Sequence, residues 1–574
     1  MNEINYSVSF EKPYTHYCEV EIILSEISRD TVEFSMPVWT PGSYLLREFA
    51  KNVECVKAEN MEGERINITK INKNSWLLDT KNQKGIKFEY KIYCNELTVR
   101  TSEIIARHAF LSNAGIFMRA SGFEESKHIL NINLPSEWTK ISTGLKKESN
   151  TIYSAENYDE FIDSPVEIGN QEILEFDIEN IKHFIVLSGK GNYNKDILIN
   201  DFKKITLEEI KLLGGDIPYK DYTFIIHLVE KGGGGLEHMN SFVVQFARWG
   251  FTDEKLYKKF LGLVSHEFFH LWNVKRIRPE ALGPFNYESE NYTKELWVAE
   301  GWTSFYDNLI LRRCSILNNE EYFKFLEIEI NDIMRFEGRF HQSLEESSFD
   351  TWIKFYRKDE NYNNRQISYY TKGALAALML NLEIIKSTEA KNSLDDALRM
   401  LYEDYKSDRS KGYTDGRVKE VCETVCEKNL DEFWEKYIKG KDDLPLNEFL
   451  NYAGLKLVNE NESLKVSFEM EYKSEGGKII IIKVYEGGSA YESGLNVNDE
   501  LISVNGIRMD GELMKTFIKN YNENDLVDCI INRNGIIENL QVKLLKPLPK
   551  YKISETEEKT INQIRIFEKW ISGI

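Results

Sequence analysis

No apolar run in this 574-residue chain approaches the roughly twenty residues of a membrane-spanning helix, so no transmembrane segment is expected. Met1–Tyr17 lacks a basic start followed by an apolar core, which argues against a secretory signal and for a cytoplasmic location. Positive charge is scarce: 73 Lys and Arg stand against 93 Asp and Glu, a formal net charge of −20. That balance disfavours nucleic acid and anionic membrane as partners. The densest basic run, Lys275-Arg276-Ile277-Arg278, is too short for a nucleic-acid patch and is expected to pair with local acids or to brace a neighbouring site. Cysteines number seven and are scattered, which fits a reducing compartment better than a disulfide framework. Cys422 and Cys426 lie one helical turn apart with no Cys or His pair nearby, and read as packing residues. The length suits three or four domains, each able to bury its own core.

Against this background one stretch carries chemistry. His266-Glu267-Phe268-Phe269-His270 lies within Lys255–Trp272, a run of strong helix formers without proline. On a helix both imidazoles share one face and can grip one ion. Glu267 sits beside the first of them, where it can reach water on that ion rather than the ion itself. A zinc hydrolase needs a third protein ligand. The next expected helix, Thr293–Arg313, offers Glu295 and Glu300. Glu295 follows Lys294 near the start of the segment and reads as a solvated charge in the first turn. Glu300 is embedded among Trp297, Val298, Ala299 and Trp302, where an unpaired carboxylate would be expensive. A metal would offset that cost, so Glu300 is the chosen ligand; the alternative is pairing with a buried Arg.

Strand-like alternation dominates the start of the chain, as in Cys18–Ser25, Thr31–Met36, Lys87–Cys94 and His128–Leu134, and predicts an antiparallel β-domain. Tyr222–Val229 is a further strand leading into Gly232–Gly235. These glycines lack the Lys-Ser/Thr of a phosphate loop; they would instead let a substrate backbone approach, with the acidic Glu237 placed to meet a cation. From Asp253 the pattern is mainly helical to about Gly440, and polar stretches then mark a boundary. The fold class is multidomain α+β, divided into residues 1–160, 161–455, 456–548 and a terminal helix over 549–574.

His266–Pro279, followed by Leu296–Tyr306 (L-W-V-A-E-G-W-T-S-F-Y), resembles the glycyl-aminopeptidase family of gluzincin metallopeptidases. Val38-Trp39-Thr40-Pro41-Gly42-Ser43-Tyr44, Gly234-Gly235-Leu236-Glu237-His238 and Tyr369-Tyr370-Thr371-Lys372-Gly373 are similar to further elements of that family. Gly487–Leu495, Asn498–Ile502 and Val504-Asn505-Gly506 resemble a bacterial-type PDZ domain. The resemblance implies a thermolysin-like catalytic domain between an N-terminal β-domain and a PDZ domain. It implies one Zn2+ per chain on His266, His270 and Glu300, with Glu267 as general base. Tyr370 would stabilise the oxyanion, with Tyr369 as its competitor. Glu237 would bind the substrate α-amine beside Gly234 and Gly235, although His238 stands where related enzymes carry Asn. Gly476-Gly477 is the candidate carboxylate loop for a C-terminal peptide at the PDZ groove. The expected substrates are peptides with small N-terminal residues such as Gly. Two alternatives stay open: a PDZ-guided endopeptidase and a catalytically silent PDZ scaffold. An aminopeptidase needs an amine-binding acid such as Glu237 and is preferred.

Overall fold

The computed structural model describes residues 3–573, in two compact units. The first comprises the chain up to Tyr292 with Arg313–Leu317 and Tyr402–Thr414; the second holds Thr293–Arg312, Asn318–Leu401 and everything from Asp415.

In the first unit, alternation becomes sheet. Tyr17–Leu24 buries every second side chain, so one face packs on the core and the other meets water. It belongs to a seven-stranded sheet running Lys146–Lys147, Ile152–Ala155, Lys127–Asn133, Glu3–Ser9, Tyr17–Leu24, Ile86–Tyr93 and Val53–Asn60. The expected antiparallel pattern holds across it except between Glu3–Ser9 and Lys127–Asn133, which run parallel. These strands are far apart in sequence, so no hairpin fixes their relative direction. A four-stranded and a five-stranded sheet accompany it, and the latter takes in Val166–Gly169. Phe34 stacks on Phe88 at 4.1 Å within the shared core.

A second five-stranded sheet in this unit runs Glu172–Ile178, Ile181–Ser188, Asp221–Val229, Ser241–Ala247 and Gly235–Glu237. Its centre is parallel, and the continuous apolar run in Asp221–Val229 reflects burial on both faces. The helices Lys195–Leu212 and Glu254–Phe269 cover one face; Phe224 meets Phe202 at 5.2 Å and Phe268 at 5.6 Å. The short strand Gly235–Glu237 closes the edge antiparallel to Ser241–Ala247.

The second unit is helical before it turns to sheet. Trp297–Trp302 forms a π-helical turn that continues as Thr303–Arg313, rather than the single α-helix expected over Thr293–Arg313. It packs on the long helix Tyr369–Ser387 at a glycine–glycine contact: a Cβ on Gly301 would lie 2.6 Å from the Gly373 Cα. Farther on, five strands lie in the order Met470–Glu475, Lys478–Val484, Glu500–Val504, Leu526–Arg533 and Ile536–Lys543, with Ile507–Arg508 paired to the third of them. They enclose their own core, including Ile479, Ile481, Leu501, Val527 and Ile531. The chain enters and leaves this module through a ribbon, Leu455–Asn459 paired with Tyr551–Glu555. It ends in the helix Ile561–Ser572.

Candidate functional site

The helix carrying the histidine pair starts at Asp253, whose side chain accepts from the Leu256 amide at 3.0 Å, and runs over Glu254–Phe269. His270 stands just past the end of this helix, still in right-handed helical conformation. The two imidazoles therefore face one another, with Nε2 atoms 3.1 Å apart. His270 Nδ1 lies 2.6 Å from the Asn273 carbonyl oxygen, a contact that places the proton on Nδ1 and leaves the Nε2 lone pair for a ligand. Two nitrogens on one tetrahedral zinc would lie roughly 3.3 Å apart, given Zn–N bonds of about 2.0–2.1 Å. The observed spacing fits such an ion. Among the described residues of this unit one donor set is compatible with a metal, Glu237 with Glu267 and His270, whose ligand atoms lie within 4.8 Å of one another.

Glu267 is buried, and the edge strand makes room for it. A Cβ on Gly235 would fall 2.6 Å from the Glu267 Cγ, so glycine is the residue that admits this carboxylate. The Gly235 carbonyl accepts from Arg100 Nη2 at 3.3 Å, and the Gly234 carbonyl accepts from the Gln245 amide at 3.1 Å. Glu237, two residues farther along, is 3% exposed. Its Oε1 has no hydrogen-bond donor among the described residues.

Behind Glu237 lies a buried charge network. His238 Nδ1 is 3.0 Å from Asp163 Oδ1, the Lys275 ammonium donates to the same oxygen at 2.8 Å, and the Met239 amide donates to Asp163 Oδ2 at 2.8 Å. Burial alone would raise the Asp163 carboxyl, but Lys275 and His238 hold it below its ordinary range. Burial alone would lower Lys275, but the charges of Asp163 and Glu237 lift it. Arg276 donates to the carbonyls of Leu271, Pro218 and Met239. Within the basic run after the histidines, Lys275 thus pairs with a local acid, as expected, and Arg276 holds the loop that follows Glu237.

In the second unit, Glu300 is buried on its π-helical turn, and Trp297 donates its amide to Ser348 Oγ at 3.1 Å. Tyr369 and Tyr370 open the helix capped by Ser368. Tyr369 is fully buried, and its hydroxyl accepts from Thr351 Oγ1 at 3.0 Å. Tyr370 is only partly covered and stacks on Phe355 at 5.2 Å. Burial, and then the Glu300 charge, hold the Tyr370 phenol well above its ordinary pKa, so it is a protonated donor at neutral pH.

Two expectations are corrected. Glu295 is not a solvated charge: burial, reinforced by Glu345 and Asp415, pushes its carboxyl up to about 8. Gly476 and Gly477 do not form a loop ahead of an open strand. They are the two central residues of the hairpin between Met470–Glu475 and Lys478–Val484, with φ of 59° and 78°. The strand after them is paired with Met470–Glu475 along one side and with Glu500–Val504 at Ile479 and Ile480 on the other. Gly42, absent from the sequence-derived site, does reach it: its turn lies against the Glu237 carboxylate. The motif Val38–Tyr44 was its only signal in the sequence.

Residues 5–170 match the Peptidase M61 N-terminal domain, and residues 259–376 match the M61 glycyl aminopeptidase. Curated protein sequences give no match. Among solved structures, an aminopeptidase N family protein from Idiomarina loihiensis is similar at 28% identity and a TM-score of 0.91, over 99% of this chain and 100% of that one. An M1 zinc metallopeptidase from Deinococcus radiodurans aligns at 10% identity and a TM-score of 0.48, over 78% of this chain and 95% of that one. The M61 matches and the Idiomarina structure support a peptidase of aminopeptidase type.

Proposed function

We propose that this chain is a zinc-dependent aminopeptidase that hydrolyses the first peptide bond of peptides with a free N-terminus. The observation that carries the reading is Glu237: a buried carboxylate with one oxygen lacking a donor, grouped with Glu267 and His270 beside the histidine pair. A buried carboxylate oxygen without a donor is costly, and a substrate ammonium would relieve that cost through a charge-assisted hydrogen bond. His266, His270 and Glu300 would hold one zinc ion. When bound, zinc supplies Lewis-acid polarisation of the scissile carbonyl and acidifies water towards a pKa of about 7. Glu267 takes a proton from the attacking water and passes it to the leaving amine. Tyr370, protonated, donates to the developing oxyanion. Small N-terminal residues, glycine first, are the expected preference, in keeping with the M61 match.

The module over 456–548 is read as a PDZ domain, whose open edge would be Met470–Glu475, the terminal strand of its sheet. The function is tested by metal analysis together with paired peptides. The protein should contain one zinc per chain, cleave free peptides one residue at a time from the N-terminus, and spare N-acetylated ones. Glu300→Ala should lose most of the metal, whereas Glu295→Ala should keep it. Equal cleavage of acetylated and free peptides at internal bonds would favour the endopeptidase, and absence of metal with no hydrolysis would favour the silent scaffold.

A further inference from the structure

The turn Thr40-Pro41-Gly42-Ser43 belongs to the N-terminal β-domain, yet it ends against the candidate site. Pro41 and Gly42 hold its central positions, Ser43 donates its amide to the Thr40 carbonyl at 3.1 Å, and Gly42 has φ of 86°. This is the residue order that a type II turn demands. Its base is anchored: Trp39 Nε1 donates to the Asn286 carbonyl at 2.7 Å, and the Val38 amide donates to the Tyr287 carbonyl at 2.9 Å. Held in this way, the Gly42 Cα lies directly against the Glu237 side chain. A Cβ at this position would stand 2.6 Å from Glu237 Oε2 and 2.7 Å from its Cδ. No rearrangement of the Cβ itself can relieve such a clash, because both the turn and the strand Gly235–Glu237 are fixed by backbone hydrogen bonds.

We propose that Gly42 is a positioning residue for Glu237: its bare Cα forms the wall that sets the carboxylate, and hence the distance from the substrate N-terminus to the bond that is cut. This assignment rests on Glu237 being the amine-binding acid. It gives the Val38–Tyr44 motif a function in exopeptidase selectivity that positive φ alone would not.

Gly63 supplies the control, since it has φ of 87° and nothing lies within 4 Å of the position its Cβ would take, so Gly63→Ala carries the backbone strain without the clash. The variants Gly42→Ala, Gly63→Ala, Glu237→Ala and the double variant Gly42→Ala with Glu237→Ala are assayed on matched free and N-acetylated peptides, with zinc content measured on each. Gly42→Ala should lower kcat/KM for free peptides on the order of 10²-fold, through both a higher KM and a lower kcat, because a small misplacement of a bound group has that effect. Its preference for free over acetylated peptides should fall to that of Glu237→Ala, with zinc retained and Gly63→Ala like the parent. The double variant should equal Glu237→Ala, as expected when one residue acts through the other. If Gly42→Ala folds poorly, adding Glu237→Ala should restore its thermal midpoint to that of Gly63→Ala, and failure to restore it overturns the assignment. Loss of the preference in Glu237→Ala but not in Gly42→Ala overturns the assignment and leaves the amine reading standing. A preference that survives Glu237→Ala overturns both.

Discussion

Glu267 and Tyr370 have distinct chemical tasks, and single substitutions separate them. Glu267→Gln keeps the shape of the side chain and leaves His266, His270 and Glu300 in place, so zinc content should not change. Activity should fall by the roughly 10²–10⁴-fold that a general base contributes. Tyr370→Phe should lower kcat by on the order of 10²-fold, the usual effect of removing one oxyanion donor. Tyr369→Phe removes a hydroxyl that bonds Thr351 in the core and should cost about 1 kcal/mol of stability with little change in kcat. Comparable losses of kcat in both variants would remove the case for Tyr370 as the oxyanion donor. At this scale the sequence was legible where chemistry is local: two imidazoles one turn apart must share a helical face. It was not legible at Glu295, whose carboxyl is raised first by burial and then by the charges of Glu345 and Asp415, both distant in sequence. Nor could it show that Gly235 and Gly42 are glycines because Glu267 and Glu237 fill the space their side chains would need.

Between elements, a buried carboxylate–histidine chain ties several strands of the first unit together. Glu167, on Val166–Gly169, accepts from His108 at 3.0 Å, from His227 at 3.0 Å and from Ser188 Oγ at 2.7 Å, and His108 also meets Glu103 at 3.1 Å. Five strands are joined through one buried carboxylate. Burial alone would lower His108, but its bonds to Glu103 and Glu167 raise it from 6.5 to about 9. Burial alone would raise Glu167, but its bonds to the two histidines lower it from 4.5 to about 2. The His108 contribution to stability is fully present below pH 6.5 and is lost as pH climbs through about 9. The Glu167 contribution is present above pH 4.5 and is lost as pH falls through about 2. Denaturant midpoints should therefore plateau between those limits and fall on the alkaline side. His108→Gln should flatten that alkaline fall and cost about 3 kcal/mol on the plateau, since it leaves a buried charge short of its partner. An unchanged pH profile in this variant would assign the alkaline loss elsewhere. None of this network was legible in the sequence, and of the strands bearing it only that over Tyr222–Val229 was; alternation reveals which face is buried, not which polar side chains meet there. For the same reason the parallel pairing of Glu3–Ser9 with Lys127–Asn133 escaped a reading based on hairpins.

Over the whole molecule, the C-terminal module is an insertion rather than a terminus. The Glu460 amide donates to the Lys550 carbonyl at 2.7 Å, where the ribbon of Leu455–Asn459 and Tyr551–Glu555 opens into the module. The helix Ile561–Ser572 then returns to the helical body of its unit: Trp570 is fully buried, with ring centroids 6.0 Å from Tyr322 and 6.4 Å from Phe323. A sequence boundary near 456 was readable from the polar linkers, but the return of the chain was visible only as an apolar stripe from Ile561 to Ile571. Replacing residues 461–549 with an Asn-Gly turn should convert the ribbon into a two-residue hairpin of favourable twist. The shortened protein should unfold cooperatively, bind zinc with the parent stoichiometry and cleave short free peptides at the parental rate. Its midpoint should fall only modestly, because the module is tied to the helical body by a few contacts: the ion pair of Arg335 with Glu469, the hydrogen bonds of Asn364 with the Val484 carbonyl and the Glu486 amide, and the stacking of Phe336 on Tyr485. Truncation after residue 460 removes fewer than thirty residues more, yet it also deletes the second ribbon strand and Trp570. It should destabilise by more than the roughly 3–5 kcal/mol that loss of one buried Trp side chain costs. If the excised and truncated proteins are equally unstable, the module itself supports the helical body, and removing it cannot separate peptide recognition from catalysis.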